Sequence, residues 1–220
     1  MTSISSSGAA STTFTVFENT TFTGTLASVA TGVANGVTLT LAAAKAAGKT
    51  ITGTGSGSVN VTALDATLSA DLSNVTVAAG GTLTGAFTAS QEFAGNFGTA
   101  GMTVSISDGA TMTVAANLVD GADGPTLQKV GSGSGAVAVK IGTADAAVDM
   151  TSISSSGAAS TTFTVFEDTT FTGTLAATTS VATGQTLTLA AAKATGKTIT
   201  GASGGSGSVI VTALDQTLDA

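Results

Sequence analysis

The chain has 220 residues, of which Thr, Ala, Gly and Ser contribute 44, 40, 29 and 24, and its formal net charge is −7. It contains no Cys, His, Trp or Tyr, and all six basic residues are Lys (Lys45, Lys49, Lys129, Lys140, Lys193, Lys197), so it has no Arg either. Disulfide frameworks, Cys or His zinc sites, Cys or His nucleophile pairs and Arg clamps on phosphate are excluded for want of the atoms, and no enzymatic activity is expected.

The acidic balance repels phosphate backbones, so no nucleic-acid partner is expected. Although mean hydropathy is +0.46, Ala, Val and Leu are interleaved with Thr and Gly. No run approaches the roughly 18 apolar residues of a membrane helix, and no membrane insertion is expected. The opening residues Met1 to Gly8 carry neither a basic segment nor an apolar stretch, so no cleavable secretory signal is expected there. With 42% hydrophobic and 9% charged residues, the composition is that of a folded chain and not of a disordered one.

Period-two alternation dominates the chain. It marks strands at Thr13 to Phe17, Thr21 to Thr23, Val37 to Leu41, Lys49 to Thr52, Val59 to Thr62, Val75 to Val77, Thr82 to Thr84, Met102 to Ile106, Thr111 to Val114 and Val137 to Val139. Each would put Phe, Leu, Ile, Val or Met on one face and Thr or Ser on the other, and branched Thr and Val suit a pleated surface. Gly, Asn-Gly, Asp-Gly and Gly-Gly pairs between the runs are turn signals. Leu41-Ala-Ala-Ala-Lys-Ala-Ala-Gly48 interrupts the alternation; its Ala content and final Gly predict a turn or two of helix.

An internal repeat organises these elements. Met1 to Leu26 recurs as Met150 to Leu175 with one change, Asn19 to Asp168; Thr38 to Lys45 recurs as Thr186 to Lys193, and Ser58 to Asp65 matches Ser208 to Asp215. The expected organisation is a complete unit at 1–149 and the first half of a second copy at 150–220. Gly36 to Gly48 also resembles Gly109 to Gly121, each followed by a Gly-Ser-Gly cluster and a Val-x-Val strand, which divides the unit into two related halves of about 75 residues.

Strands of this length and spacing fit two all-β architectures. One is a parallel β-solenoid (β-helix) of tandem repeats, and the alternative is a string of tandem β-sandwich domains. A sandwich needs bulky side chains to fill a gap of about 10 Å between sheets. A solenoid tolerates a thin core because each rung is packed by its neighbours. The aromatic residues are all Phe, at Phe14, Phe17, Phe22, Phe87, Phe93 and Phe97 and their second-copy counterparts, and the solenoid is favoured.

Candidate sites are few. Asp120 and Asp123, in Asp120-Gly-Ala-Asp-Gly-Pro125, place two carboxylates and flexible carbonyls in one loop. This makes them a weak metal candidate for Ca²⁺, the one cofactor considered; the plain alternative is an acidic surface turn. Asn19, Asn60 and Asn74 stand in N-glycosylation sequons, but the second copy has Asp168 and Ile210 at the first two. Thr-x-Thr pairs such as Thr38 with Thr40 and Thr111 with Thr113 would form ladders if stacked, resembling the ice-binding faces of some β-solenoid antifreeze proteins, although their sequence spacing is irregular. The carboxylate pairs Asp65 with Asp71 and Asp215 with Asp219 have no large apolar neighbours in sequence to raise a pKa, and no acid–base role is expected of them.

The phrases Gly-x-Thr-Leu-Thr-Leu-Ala-Ala-Ala-Lys-x-x-Gly-Lys-Thr-Ile-Thr-Gly and Gly-Ser-Val-x-Val-Thr-Ala-Leu resemble the beta strand repeat segments of very large bacterial secreted or cell-surface proteins. The resemblance runs over nearly the whole chain and brings no catalytic residue with it. It implies an adhesin, S-layer-like or fibre-forming protein, secreted or at the cell surface. Two functions are expected to compete: a structural module forming a rigid stalk or self-assembling filament, and a binding module recognising ice, glycan or Ca²⁺. The expected partners are further copies of the chain, end to end or laterally, and a host or cell-surface glycan.

Overall fold

A computed structural model describes residues 13–26, 30–98, 101–120, 124–130, 133–153, 160–202 and 205–214. Its strands are β1 (Thr13–Val16), β2 (Thr20–Phe22), β3 (Ala30–Val33), β4 (Thr38–Ala42), β5 (Ile51–Gly53), β6 (Ser58–Thr62), β7 (Val75–Val77), β8 (Leu83–Phe87), β9 (Gln91–Phe93) and β10 (Met102–Ile106). There follow β11 (Thr111–Ala115), β12 (Thr126–Lys129), β13 (Ala136–Ile141), β14 (Ser160–Val165), β15 (Thr169–Phe171), β16 (Thr178–Val181), β17 (Thr186–Ala190), β18 (Thr198–Gly201) and β19 (Ser208–Thr212). Two single-turn helices, α1 (Ala43–Ala46) and α2 (Ala191–Ala194), occupy equivalent places in the two copies. The Ala-rich interruption is thus one turn long, and Gly48 beyond it takes φ +65°, a left-handed conformation that a Cβ would strain.

Every strand pairing is parallel, and the fold is a parallel β-solenoid of about nine turns. Three columns run along it. The first face starts with β1, β3, β5 and β7; the second carries β2, β4, β6, β8, β10 and β12. The third begins with α1 and the 3-10 turn Leu64–Ala66, which packs beneath β9, and continues through β11, β13, β14, β16 and β18. The 3-10 turns Ala116–Leu118 and Thr143–Asp145 stack on the first face beneath β15, which leads to β17 and β19.

Strand alternation becomes a layered core because the register aligns like with like. On the second face Leu39, Val59, Leu83 and Met102 form one inward column, and Phe22, Leu41, Val61, Gly85, Val104 and Leu127 form the next. On the third, Phe93, Val114, Val139 and Phe163 stack in the same way. The Phe residues are spread along the axis and form no single aromatic centre. Phe87 and Phe93 are fully buried, and Phe93 stacks on Phe97 with centroids 4.3 Å apart.

The two sequence copies occupy different faces. In the first copy β1, β3 and β5 lie on the first face and β2, β4 and β6 on the second, whereas their counterparts β14, β16 and β18 lie on the third and β15, β17 and β19 on the first. The half-repeat moves one face forward at a time, with β4 and β6 on the second face, β11 and β13 on the third, and β17 and β19 on the first, so two half-steps leave a full unit one face back. One local device marks each step. Asn35 Oδ1 accepts from the N–H and the hydroxyl of Ser56, one rung on, at 2.8 and 2.7 Å, while Gly36 N donates to Ser56 Oγ. Asp108 does the same for the N–H and hydroxyl of Ser134, with Gly109 N donating to Ser134 Oγ. At the third corner Thr183 and Gly184 face Gly205 and Ser206, with Gly184 N donating to the Ser206 carbonyl. The second glycine of each Gly-Ser-Gly cluster is required by packing. A methyl at Gly57, Gly135 or Gly207 would strike the carbonyl oxygen of Val33, Ile106 or Val181, which close strands on the first, second and third faces respectively.

Hydrogen bonds from Ser134 hold the Asp108 carboxyl below its ordinary value. Its contribution to stability is therefore complete above the unfolded pKa of about 3.9 and is lost as pH falls through the lower folded value. Asp108→Asn keeps the acceptor oxygen that Asn35 supplies at the equivalent corner, and should narrow the difference between the melting temperatures at about pH 7 and pH 2. Deep in the third face, Thr179 is fully buried and its Oγ1 has no hydrogen-bond partner. Thr179→Val removes that desolvation cost at equal shape, with an expected gain of about 1–2 kcal/mol, read as a rise of roughly 2–4 °C per kcal/mol in thermal melts.

Candidate functional site

The most regular surface feature is a polar ladder on the second face. Thr21, Thr40, Asn60, Thr84, Thr103 and Thr126 stand one above the other on six successive rungs. All point outward because they alternate with the inward Leu, Val and Met columns. The intervals between them vary, yet the register is unbroken, since corner loops of different length absorb the differences. Asn60 Oδ1 accepts from the Thr84 hydroxyl at 3.0 Å, and in the neighbouring column Gln128 Nε2 donates to Ser105 Oγ at 3.2 Å. In the second copy the corresponding ladder, Thr170, Thr188 and Ile210, lies on the first face.

The sequon positions have structural partners. Asn19 Oδ1 accepts from Thr38 N at 2.8 Å, and Asp168 Oδ1 accepts from Thr186 N at 2.7 Å. The single difference between the two opening segments therefore preserves the acceptor. Asn74 is exposed, and its carbonyl accepts from Ile51 N.

The carboxylates are engaged locally. Asp65 Oδ2 accepts from the Thr88 hydroxyl at 2.8 Å, whereas its Oδ1 is buried without a partner. Asp71 Oδ1 accepts from Ser73 N at 3.0 Å, a bond that lowers its pKa. Asp215 and Asp219 lie outside the described residues. The Asp149 carboxyl is likewise lowered, chiefly by the Thr151 hydroxyl and N–H, with Lys193 and Lys197 adding to the effect.

Of the calcium pair, Asp123 lies outside the described residues. Asp120 follows the 3-10 turn Ala116–Leu118, and its carboxyl is pushed above the ordinary range by burial first and then by the negative charges of Asp145 and Asp149. Asp145 is a corner clamp that sequence reading missed. It is 2% exposed, and its two oxygens accept from Asn117 N on the preceding turn and Gly142 N, at 2.8 and 2.7 Å. Only the chain path one rung away reveals that role. No group of three or more Asp or Glu is placed to hold a metal ion among the described residues. Lys140 Nζ lies 2.9 Å from Glu92 and 4.1 Å from the centroid of Phe166, an outward cluster that reaches on the third face from β9 across β11 and β13 to the residue after β14.

Because the folded pKa of Asp120 is raised, its ionisation opposes folding. That cost is absent below the unfolded pKa of about 3.9 and complete above the folded value. Asp120→Asn should therefore raise the melting temperature in calcium-free buffer at about pH 7 and leave it unchanged at about pH 3. A calcium ion held by Asp120 and Asp123 reverses the neutral-pH ranking when calcium is added, because the wild type alone is then stabilised. No protein-family model, curated protein or solved structure matches this chain in sequence or fold comparison.

Proposed function

We propose that the chain is a structural repeat module of a large extracellular bacterial surface protein, where it serves as a rigid spacer in a stalk, adhesin or fibre. The observation that carries this reading is the unbroken core. The inward columns of successive rungs form one hydrophobic cluster extending from Val33 to Leu189, through the point where the sequence repeat begins again. Each rung is stabilised by the rung on either side, so the rod lengthens by repetition without a new core. Polar Thr and Ser faces keep it soluble, and the resemblance to beta strand repeat segments supports a secreted or cell-surface setting.

The register of the Thr ladder favours a second reading, a binding face for an ordered surface such as ice or glycan. The rotation between copies weighs against it. A ladder that moves to another face with each unit gives a repeated array no single flat stripe, while a spacer is indifferent to the rotation.

The test is small-angle X-ray scattering of the 220-residue chain beside a variant carrying one additional 149-residue unit. A spacer keeps its cross-sectional radius and grows by roughly 30 Å along one axis, at about 4.8 Å per rung. A larger cross-section, or beads of constant size, overturns it. Inhibition of ice growth or glycan binding that disappears with Thr40→Leu and Thr103→Leu would establish the second reading.

A further inference from the structure

We infer that Asn35 is a site of spontaneous deamidation, that Ser56 restrains the reaction in the folded chain, and that the corner accepts the Asp it forms. The inference is independent of the spacer reading and concerns the corner between β3 on the first face and β4 on the second.

The chain has six Asn residues, and only Asn35 is followed by Gly; Thr, Val, Val, Phe and Leu follow the others. Deamidation begins when the main-chain nitrogen of the next residue attacks the Asn carboxamide, and a side chain on that residue crowds the approach. Gly36 has none. Gly36 N gives up its proton and bonds to Asn35 Cγ, the carboxamide nitrogen leaves as ammonia, and a five-membered succinimide results. Water then opens the ring. Addition at Cγ breaks its bond to Gly36 N and leaves Asp; addition at the main-chain carbonyl breaks the original peptide bond and leaves isoaspartate. Water enters, ammonia departs, and nothing is oxidised or reduced.

The folded corner holds both reacting groups through one residue. Gly36 N donates to Ser56 Oγ at 2.9 Å, and Asn35 Oδ1 accepts from Ser56 N and Oγ at 2.8 and 2.7 Å. Val37 N donates to Ala34 O at 3.1 Å across the turn, with Gly36 fixed at φ +72°. Gly55 lies against the carboxamide, since a methyl there would sit 2.7 Å from Asn35 Oδ1. Asn35, Gly36 and Ser56 are all exposed to water. What ring closure lacks is freedom, and the corner must open before Gly36 N can turn on Cγ.

The product has a precedent in the same molecule. At the corner between β10 and β11, Asp108 stands where Asn35 does, Gly109 has the same φ of +72°, and Ala110 N donates to Ser107 O at 3.1 Å. Ser134 there makes the three bonds that Ser56 makes here. Asn35 Nδ2, the nitrogen that leaves, donates to no group among the described residues, so its loss removes no hydrogen bond. A carboxylate at position 35 accepts the same two bonds from Ser56. It also ends the chemistry, because an ionised carboxylate resists a second closure, and the serine bonds that hold Asp108 below its ordinary pKa favour that form. Isoaspartate has no such precedent. It adds a main-chain atom to the turn just before Val37, which is buried at the entry to β4.

The test compares the 220-residue chain aged folded with the same chain aged in denaturant, by peptide mass spectrometry of the segment around Asn35. The folded rate should be about tenfold or more below the denatured one, as expected of a step that needs local opening. Ser56→Ala should raise the folded rate about fivefold, the effect of losing about one net hydrogen bond, and leave the denatured rate unchanged. Ser134→Ala, which weakens the equivalent corner, should leave the rate at Asn35 unaffected and so separates local release from general destabilisation. An Asn35 that stays intact in denaturant overturns the site itself. Equal folded and denatured rates, or a Ser56→Ala chain that deamidates no faster, overturn the restraint; a slower one means that the serine polarises the carboxamide instead. Asn35→Asp should melt within about 2 °C of the wild type at about pH 7 and fall below it at about pH 2, where its carboxylate is protonated. A larger drop at neutral pH overturns the acceptance.

Discussion

Everything in this protein depends on parallel strands stacking one turn upon the next in unbroken register. The ladder of backbone hydrogen bonds fixes which residue lies above which, and with a side-chain period of two a slip of one residue would turn a whole column of Leu and Val outward. Because the rungs are aligned, small side chains suffice. Each inward Val, Leu or Met fills only the height of one rung, and neighbours above and below complete its burial. The wide gaps that would demand an aromatic centre never open, and this is how a chain with so few aromatic residues sustains a continuous core.

Register is kept even though successive turns differ in length. Thr164 pairs with Ser180 sixteen residues on, while Thr111 pairs with Ala136 twenty-five residues on. The difference is taken up at the corners, and there the chemistry is most specific. An Asn or Asp before a glycine holds the serine of the following rung, and a second glycine passes under the carbonyl of the strand below. The same device at Asn35 and Asp108, and its variant at Thr183, shows that one corner solution serves all three edges of the prism. Single hydrogen bonds of this kind contribute about 1 kcal/mol each; their larger effect is to set where each strand restarts.

The surface is a by-product of that regularity and also its functional potential. Thr alternating with core residues is carried outward on every strand, so a ladder arises wherever rungs align. Its presence alone is weak evidence for a ligand. Its migration from the second face to the first between copies is the more informative fact, because function in a long array depends on what is repeated in phase. The core columns, by contrast, run without a break through both copies and are indifferent to that migration.

Much of this was legible in the sequence, and the exceptions are instructive. Strict alternation identified β4, β6, β7, β10 and β11 closely, and the Ala-rich segment located α1. β3, β9 and β12 escaped because Gly32, the Gln91-Glu92 pair and the short run after Pro125 blur the alternation; these strands form because flanking rungs offer them an edge to pair with. Asp145 escaped for a similar reason, since its partner Asn117 is 28 residues distant and adjacent only once the coil has closed. Residue order by itself determined the all-β class, the repeat, the two-sided strands and the glycine corners, because those follow from local sterics and side-chain period. The number of residues consumed by each turn, the one-face rotation between copies and the alignment of irregularly spaced Thr into one ladder were decided only by the tertiary structure. They depend on how corner loops of unequal length are absorbed when each rung settles on the one below.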